Sequence, residues 1–251
     1  MVSRTSYVLL PPSESKETGG HFRKSSGAFD LALAEQRSLV LEALSTLLCE
    51  APVEEITRVL RVRGPLLDRA LEASRLIVEG TAPTLPAYRR YTGVVWNHLQ
   101  PSTLTRSQRH RILIPSGLYG LSCGTDAIAD YRLTLKVALG GLGNLANFWR
   151  QSVTRALEEL PQANFINFLP KEHNAVLVHS PLLVSRMVTV HFLGHDGESV
   201  AGHDAKAVKG MVARCALIDG VEAVASFHWK GWRGRFHCGR FEVRAPRDKG
   251  S

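Results

Sequence analysis

A short apolar run, Tyr7-Val8-Leu9-Leu10, stops at Pro11-Pro12, which predicts a buried strand over 5–10 followed by a loop over 11–30. From residue 33 the period changes. Apolar positions at 33, 40, 41, 44, 47 and 48 predict a helix over 33–49. Two more helical stretches follow at 53–61 and 65–79, joined by the basic link RVRGP. Residues 83–100 read as a loop entering a helix, 110–121 as a strand and turn, and 131–137 as an extended run. A helix over 142–160, strands in NFINFLP and MVTVHFLG, and a helix over 204–218 complete the pattern. Strands and helices alternate without strict βαβ regularity or repeats. This predicts an α+β fold: one domain over 1–251 with a central mixed sheet flanked by helices. The pair at 53–79 is a candidate helix-hairpin-helix.

Composition narrows the class. Hydrophobic residues make up 44% and charged residues 22% of the 251, ordinary globular values that supply a sizeable core. No apolar run is long enough to span a membrane, and the opening residues lack a signal-peptide pattern, so no membrane partner is expected. Cys49, Cys123, Cys215 and Cys238 form no CxxC pair, which argues against zinc ribbons and disulfide frameworks and fits a cytoplasmic protein. The histidines show no metal-ligand spacing; no metal or cofactor is expected.

The net charge of +8 points to an anionic partner: DNA, or a small nucleotide-like, carboxylate or phosphate molecule. In HWKGWRGRFHCGR, Lys230, Arg233 and Arg235 interleave with Trp229, Trp232 and Phe236. Such a stretch suits stacking on bases and forked phosphate contacts; it equally suits a glycine-bent strand pair with its aromatics inside and cations outside. Arg61 and Arg63 at the 61–65 link are the other candidate nucleic-acid contacts.

Further chemistry gathers where predicted strands end. Ser13, Glu14 and Lys16 follow the first strand, and Ser116, Asp126, Tyr131 and Arg132 follow the 110–121 strand. Tyr91 precedes Gly93, and Lys206 and Lys209 lie one helical turn apart.

In order from Leu9 to about Phe236, LLPPSESK, PAYRRYTGVVW, SGLYGL with TDAIADYRL, FWR and AKAVKGMVAR resemble the YaaA family of peroxide-stress proteins. The family's YTGV corresponds to Tyr91, Thr92, Gly93 and Val94. Its D-x-I-x-x-YRL corresponds to Asp126, Ile128, Tyr131, Arg132 and Leu133. Its AK-x-x-RG-x-x-x-R corresponds to Ala205, Lys206, Lys209, Gly210 and Arg214, with lysine at 209 in place of the usual arginine. One block departs: the family's serine and tyrosine are here Pro170 and His173. The resemblance implies protection against peroxide, lowering of free iron, a DNA-binding helix-hairpin-helix and a positively charged cleft.

The resemblance also suggests that these stretches meet in one cleft lined by Ser13, Glu14, Lys16, Tyr91, Ser116, Asp126, Tyr131, Arg132, Lys206 and Lys209. In it Glu14 or Asp126 is the candidate acid or base. Lys206, beside cationic Lys209, is the candidate nucleophile or electrostatic clamp. Two functions remain open: a DNA-binding stress protein, or an enzyme of lyase or N-glycosidic type acting on a small anionic or nucleobase-containing substrate.

Overall fold

The computed structural model describes residues 5–22, 27–200 and 202–246. Its strands are β1 (Thr5–Leu9), β2 (Thr84–Pro86), β3 (Ile112–Ser116), β4 (Gly120–Cys123), β5 (Ala127–Ala129), β6 (Ala163–Asn167), β7 (Met187–Leu193), β8 (His228–Trp229), β9 (Trp232–His237) and β10 (Arg240–Arg244). The helices are α1 (Ala34–Glu50), α2 (Val53–Leu60), α3 (Pro65–Val78), α4 (Ala87–Arg90), α5 (Val94–Leu99), α6 (Arg106–His110), α7 (Leu145–Glu158), α8 (Lys171–Asn174), α9 (Pro181–Ser185) and α10 (His203–Asp219).

Eight strands form one mixed sheet in the order β4-β3-β1-β6-β7-β10-β9-β8, and β2 and β5 form a separate pair. The inner run β3-β1-β6-β7-β10 is parallel; β4, β9 and β8 join antiparallel. Strands buried on both faces need continuous apolar sequence, and β3 is buried at all five positions. The α+β architecture expected from the pattern is the one observed, with the helix pair α2–α3 at 53–78.

Because β1 leads to β3 on one side and β6 leads to β7 on the other, the chain changes direction between β1 and β6. Loops leaving the carboxyl ends of these two strands therefore splay apart and leave a crevice, the usual ligand position in parallel sheets. Pro11 and Pro12 end β1 at this point. Helix α10 closes one flank by packing against α5. A Cβ on Gly210 would lie 2.2 Å from the Val95 carbonyl oxygen, so only glycine permits this approach.

One local expectation is corrected. Residues 131–137 do alternate between buried and less buried, but they form no strand. The carbonyls of Leu135 and Val137 instead accept hydrogen bonds, each 3.0 Å, from the Ala146 and Leu145 amides opening α7. Those amides have no partner within their own helix, so the extended segment serves them in place of a neighbouring strand. The stretch 228–240 folds as strands β8 and β9, completed by β10: Lys230 and Arg233 are exposed, and of the aromatics Trp232 is buried, Trp229 half-buried and Phe236 exposed.

Candidate functional site

The crevice is built from the loop after β1, the α4–α5 junction, the ends of β3 and β6, the 130–136 segment and α10. Lys16 stands at its centre. Its Nζ donates to the Ser13 carbonyl oxygen at 2.9 Å and lies 4.2 Å from the centre of the Tyr131 ring and 5.6 Å from that of Tyr91. Among the described residues, no carboxylate lies within ion-pair distance of it. Burial, reinforced by the Arg132 charge, pulls the ammonium down to about 7; Asp130 and Glu14 oppose this only in part. The tyrosine face also favours the charged form, by ~1–2 kcal/mol, and so limits the fall.

Tyr91 and Tyr131 share a 2.5 Å hydroxyl–hydroxyl hydrogen bond, and burial pushes both phenols up. Ser116, buried at the end of β3, accepts from the Tyr119 amide at 3.1 Å. Trp96 stacks on Tyr91 with centroids 5.0 Å apart and donates to the Pro11 carbonyl at 3.3 Å, tying the Tyr91 wall to the β1 exit. Gly93 has φ 101°, and a Cβ there would meet Ser13 Oγ at 2.8 Å, so glycine is required where these two loops touch.

The loop carrying Lys16 is held from outside. Arg69 forks onto Asp130 Oδ2 at 2.6 and 2.8 Å and donates to the Lys16 carbonyl at 3.1 Å. Arg90, fully buried, donates to the carbonyls of Glu17, Gly19, Pro83 and Ile128. Arg132 donates to the Glu14 carbonyl at 3.0 Å, and Glu14 itself is exposed.

The β6 side supplies a second cluster. Asn167 Oδ1 accepts from the Leu169 amide at 2.9 Å and its Nδ2 donates to Asn174 at 2.8 Å, shaping the turn into α8. Glu172 pairs with Lys136, which holds its carboxyl below the usual range; Arg61 of the α2–α3 turn adds to this. Burial lowers His173, and the charges of Glu14 and Lys209 both reach it. Lys209 lies half-buried with Nζ 5.2 Å from the centre of the Phe192 ring, and burial alone lowers it to about 8.

The crevice therefore brings together Ser13, Glu14, Lys16, Tyr91, Ser116, Tyr131 and Arg132, and Glu14 links it to the cluster of His173 and Lys209. It does not engage two residues expected there. Asp126 spends its oxygens on the turn after β4: it accepts from the Ala28 amide at 3.0 Å, the Cys123 amide at 2.8 Å and the Cys123 thiol at 2.9 Å. Lys206 is exposed, because its position on α10 turns it away from the buried stripe of Ala205, Val208 and Val212. Arg69, Asp130, Lys136 and Glu172 had no signal in the sequence, since each partner is distant along the chain.

The other candidate contacts lie on the surface. Arg61, at φ 55°, and Arg63 are exposed at the α2–α3 turn, beside a groove of about 640 Å³ lined also by Arg58 and Leu66. Lys230 lies 4.7 Å over the Trp229 ring. Arg235, with Arg240 and Arg244, clamps the fully buried Glu242, whose carboxyl is pulled down to about 2 against the opposing effect of its burial.

The fold defines a class: α+β proteins with a large mixed sheet flanked by helices. A family model described as peroxide stress protein YaaA matches residues 7–235, and the chain belongs to that family. It is similar to a UPF0246 protein of Streptomyces coelicolor, 31% identical over 220 residues spanning 85% of this chain and 83% of the relative. A UPF0246 protein of Corynebacterium glutamicum is 31% identical over 201 residues, 75% of this chain and 80% of its own length. One from Rickettsia bellii is 31% identical over 157 residues, 57% and 62% of the two chains. Among the described residues no helix is long and apolar enough to cross a membrane.

Proposed function

We propose that the crevice binds a small anionic molecule and acts on it, with the neutral amine of Lys16 as nucleophile or base. The observation that carries this is the setting of Lys16 Nζ, held by one carbonyl at 2.9 Å, flanked by two tyrosine rings, and lacking a carboxylate partner among the described residues. A structural lysine in a low-dielectric site gains from that arrangement only one hydrogen bond and the tyrosine faces, with no counter-charge to offset its desolvation. An amine that must be unprotonated near neutral pH requires it. Arg132 supplies a fixed positive charge for the anion, and exposed Glu14 is the candidate proton carrier. The reaction class is lyase or N-glycosidic chemistry on a small anionic or nucleobase-bearing substrate.

Competitive trace acetylation tests this. The protein is labelled with acetic anhydride across a pH series and each lysine is read by peptide mass spectrometry. Lys16 should titrate near pH 7, well below the ordinary lysine value of 10.5. Titration of Lys16 at the ordinary lysine value would remove the reading.

A second reading has its own support. Arg61 and Arg63 at the hairpin turn, with Lys230, Arg233 and Arg235 on the C-terminal strands, suit non-specific contact with the phosphates of DNA. Duplex binding that weakens about tenfold or more between low and moderate salt is expected; absence of binding at low salt would reject it.

A further inference from the structure

Lys209 is a second cation without a counter-charge. Among the described residues its Nζ has no hydrogen-bond acceptor and no carboxylate within ion-pair distance, only the Phe192 ring at 5.2 Å. Lys136 makes the contrast, since Glu172 neutralises it. The charge of Lys209 reaches His173, whose Nδ1 is buried without a hydrogen-bond partner and lies 3.6 Å from Glu172 Oε1, an ion-pair rather than a hydrogen-bond distance. A desolvated ammonium and an unsatisfied imidazole nitrogen facing one crevice leave a place that an anion would fill. The charge of Glu14 reaches both Lys16 and His173.

We propose that Lys209, with His173, holds the anionic group of a substrate that also carries an aldehyde or ketone, and so presents that carbonyl to Lys16. The inference rests on the Lys16 reading and adds the substrate class, an oxo acid or its phosphate-bearing equivalent. The Lys16 nitrogen lone pair attacks the carbonyl carbon, and the carbonyl π pair moves to oxygen. Loss of that oxygen as water, carrying the two protons given up by nitrogen, leaves a neutral imine. No electrons enter or leave, and no co-reactant is needed. Once protonated, the imine draws electron density from the neighbouring carbon, which is the activation that a lyase step requires.

Reductive trapping tests the assignment. The protein is incubated with cyanoborohydride and ω-oxo acids of two to six carbons, or with neutral aldehydes of matching length, and Lys16 adducts are followed by peptide mass spectrometry. At least one oxo acid should label Lys16 tenfold or more faster than its neutral counterpart. Lys209→Met should erase that preference while labelling by the neutral aldehyde persists; Lys209→Arg, which keeps the charge, should retain most of it. Lys206→Met should change neither rate. Equal labelling by acids and neutral aldehydes, or a preference that survives Lys209→Met, overturns the inference and leaves Lys16 reactive. No adduct at Lys16 with any aldehyde overturns both. If Lys209→Met fails to fold, as read by thermal unfolding, Lys209→Gln replaces it under the same criteria. Glycerol phosphates bearing an aldehyde, compared with the oxo acids, distinguish a phosphate from a carboxylate ligand.

Discussion

Replacing Lys16 by methionine should make the protein more stable. A fall of the ammonium from 10.5 to about 7 corresponds to ~5 kcal/mol by which the native state disfavours the charge, at 1.36 kcal/mol per tenfold in proton affinity. Methionine gives up the hydrogen bond to the Ser13 carbonyl and the tyrosine-face attraction, together ~2–3 kcal/mol. The net gain is ~2–3 kcal/mol at pH 6, or roughly 4–10 °C in Tm for a chain of this size. The pH dependence fixes the cause. Below 7 both native and unfolded Lys16 are charged and the native state bears the full penalty. Between about 7 and 10.5 the unfolded state binds the extra proton, so wild-type stability climbs with pH. Above 10.5 both states are neutral and the advantage of the variant is gone. Thermal unfolding of both proteins from pH 6 to pH 10.5 measures this. A variant destabilised at pH 6, or a difference that does not change with pH, would refute the reasoning and make Lys16 a structural cation.

Arg90→Met should destabilise by ~4 kcal/mol in urea unfolding, because four carbonyls around a fully buried guanidinium lose their donor. Gly210→Ala should lose ~3 kcal/mol and lower Tm, since its Cβ cannot sit 2.2 Å from the Val95 oxygen without parting α10 from α5. Glu242→Gln should weaken the protein at neutral pH. The folded carboxyl lies at about 2, below its ordinary 4.5, so its contribution is present above 4.5 and lost as pH falls through 2. The gap between wild type and variant should therefore shrink on acidification, as read by acid unfolding; a gap that persists at pH 2 would contradict this.

Much of the architecture is legible in the chain itself. Short apolar stretches at 7–10 and in NFINFLP mark strands that enter the core, and the 3.6-residue period marks α1 and α10. The prolines after Leu10 mark where β1 must stop. These are local consequences of backbone geometry and of which side chains leave water, so a single sequence carries them. The order of motifs also identifies the family, and it brings Ser13, Lys16, Tyr91, Tyr131 and Arg132 to one place. Tertiary structure alone decided the rest. The alternation in 131–137 is real, but whether such a segment finds a neighbouring strand or the open amides of α7 depends on what packs beside it. Lys206 and Lys209 look equivalent in sequence, one turn apart on one helix. The rotation of α10 against the sheet exposes the first and sinks the second beside Phe192 and His173. Lys16 likewise reads as one more cation in a polar loop, and only the closing of Tyr91 and Tyr131 around it removes its water. Charge is written in the sequence, but proton affinity is set by the dielectric and the partners that folding assembles around each group.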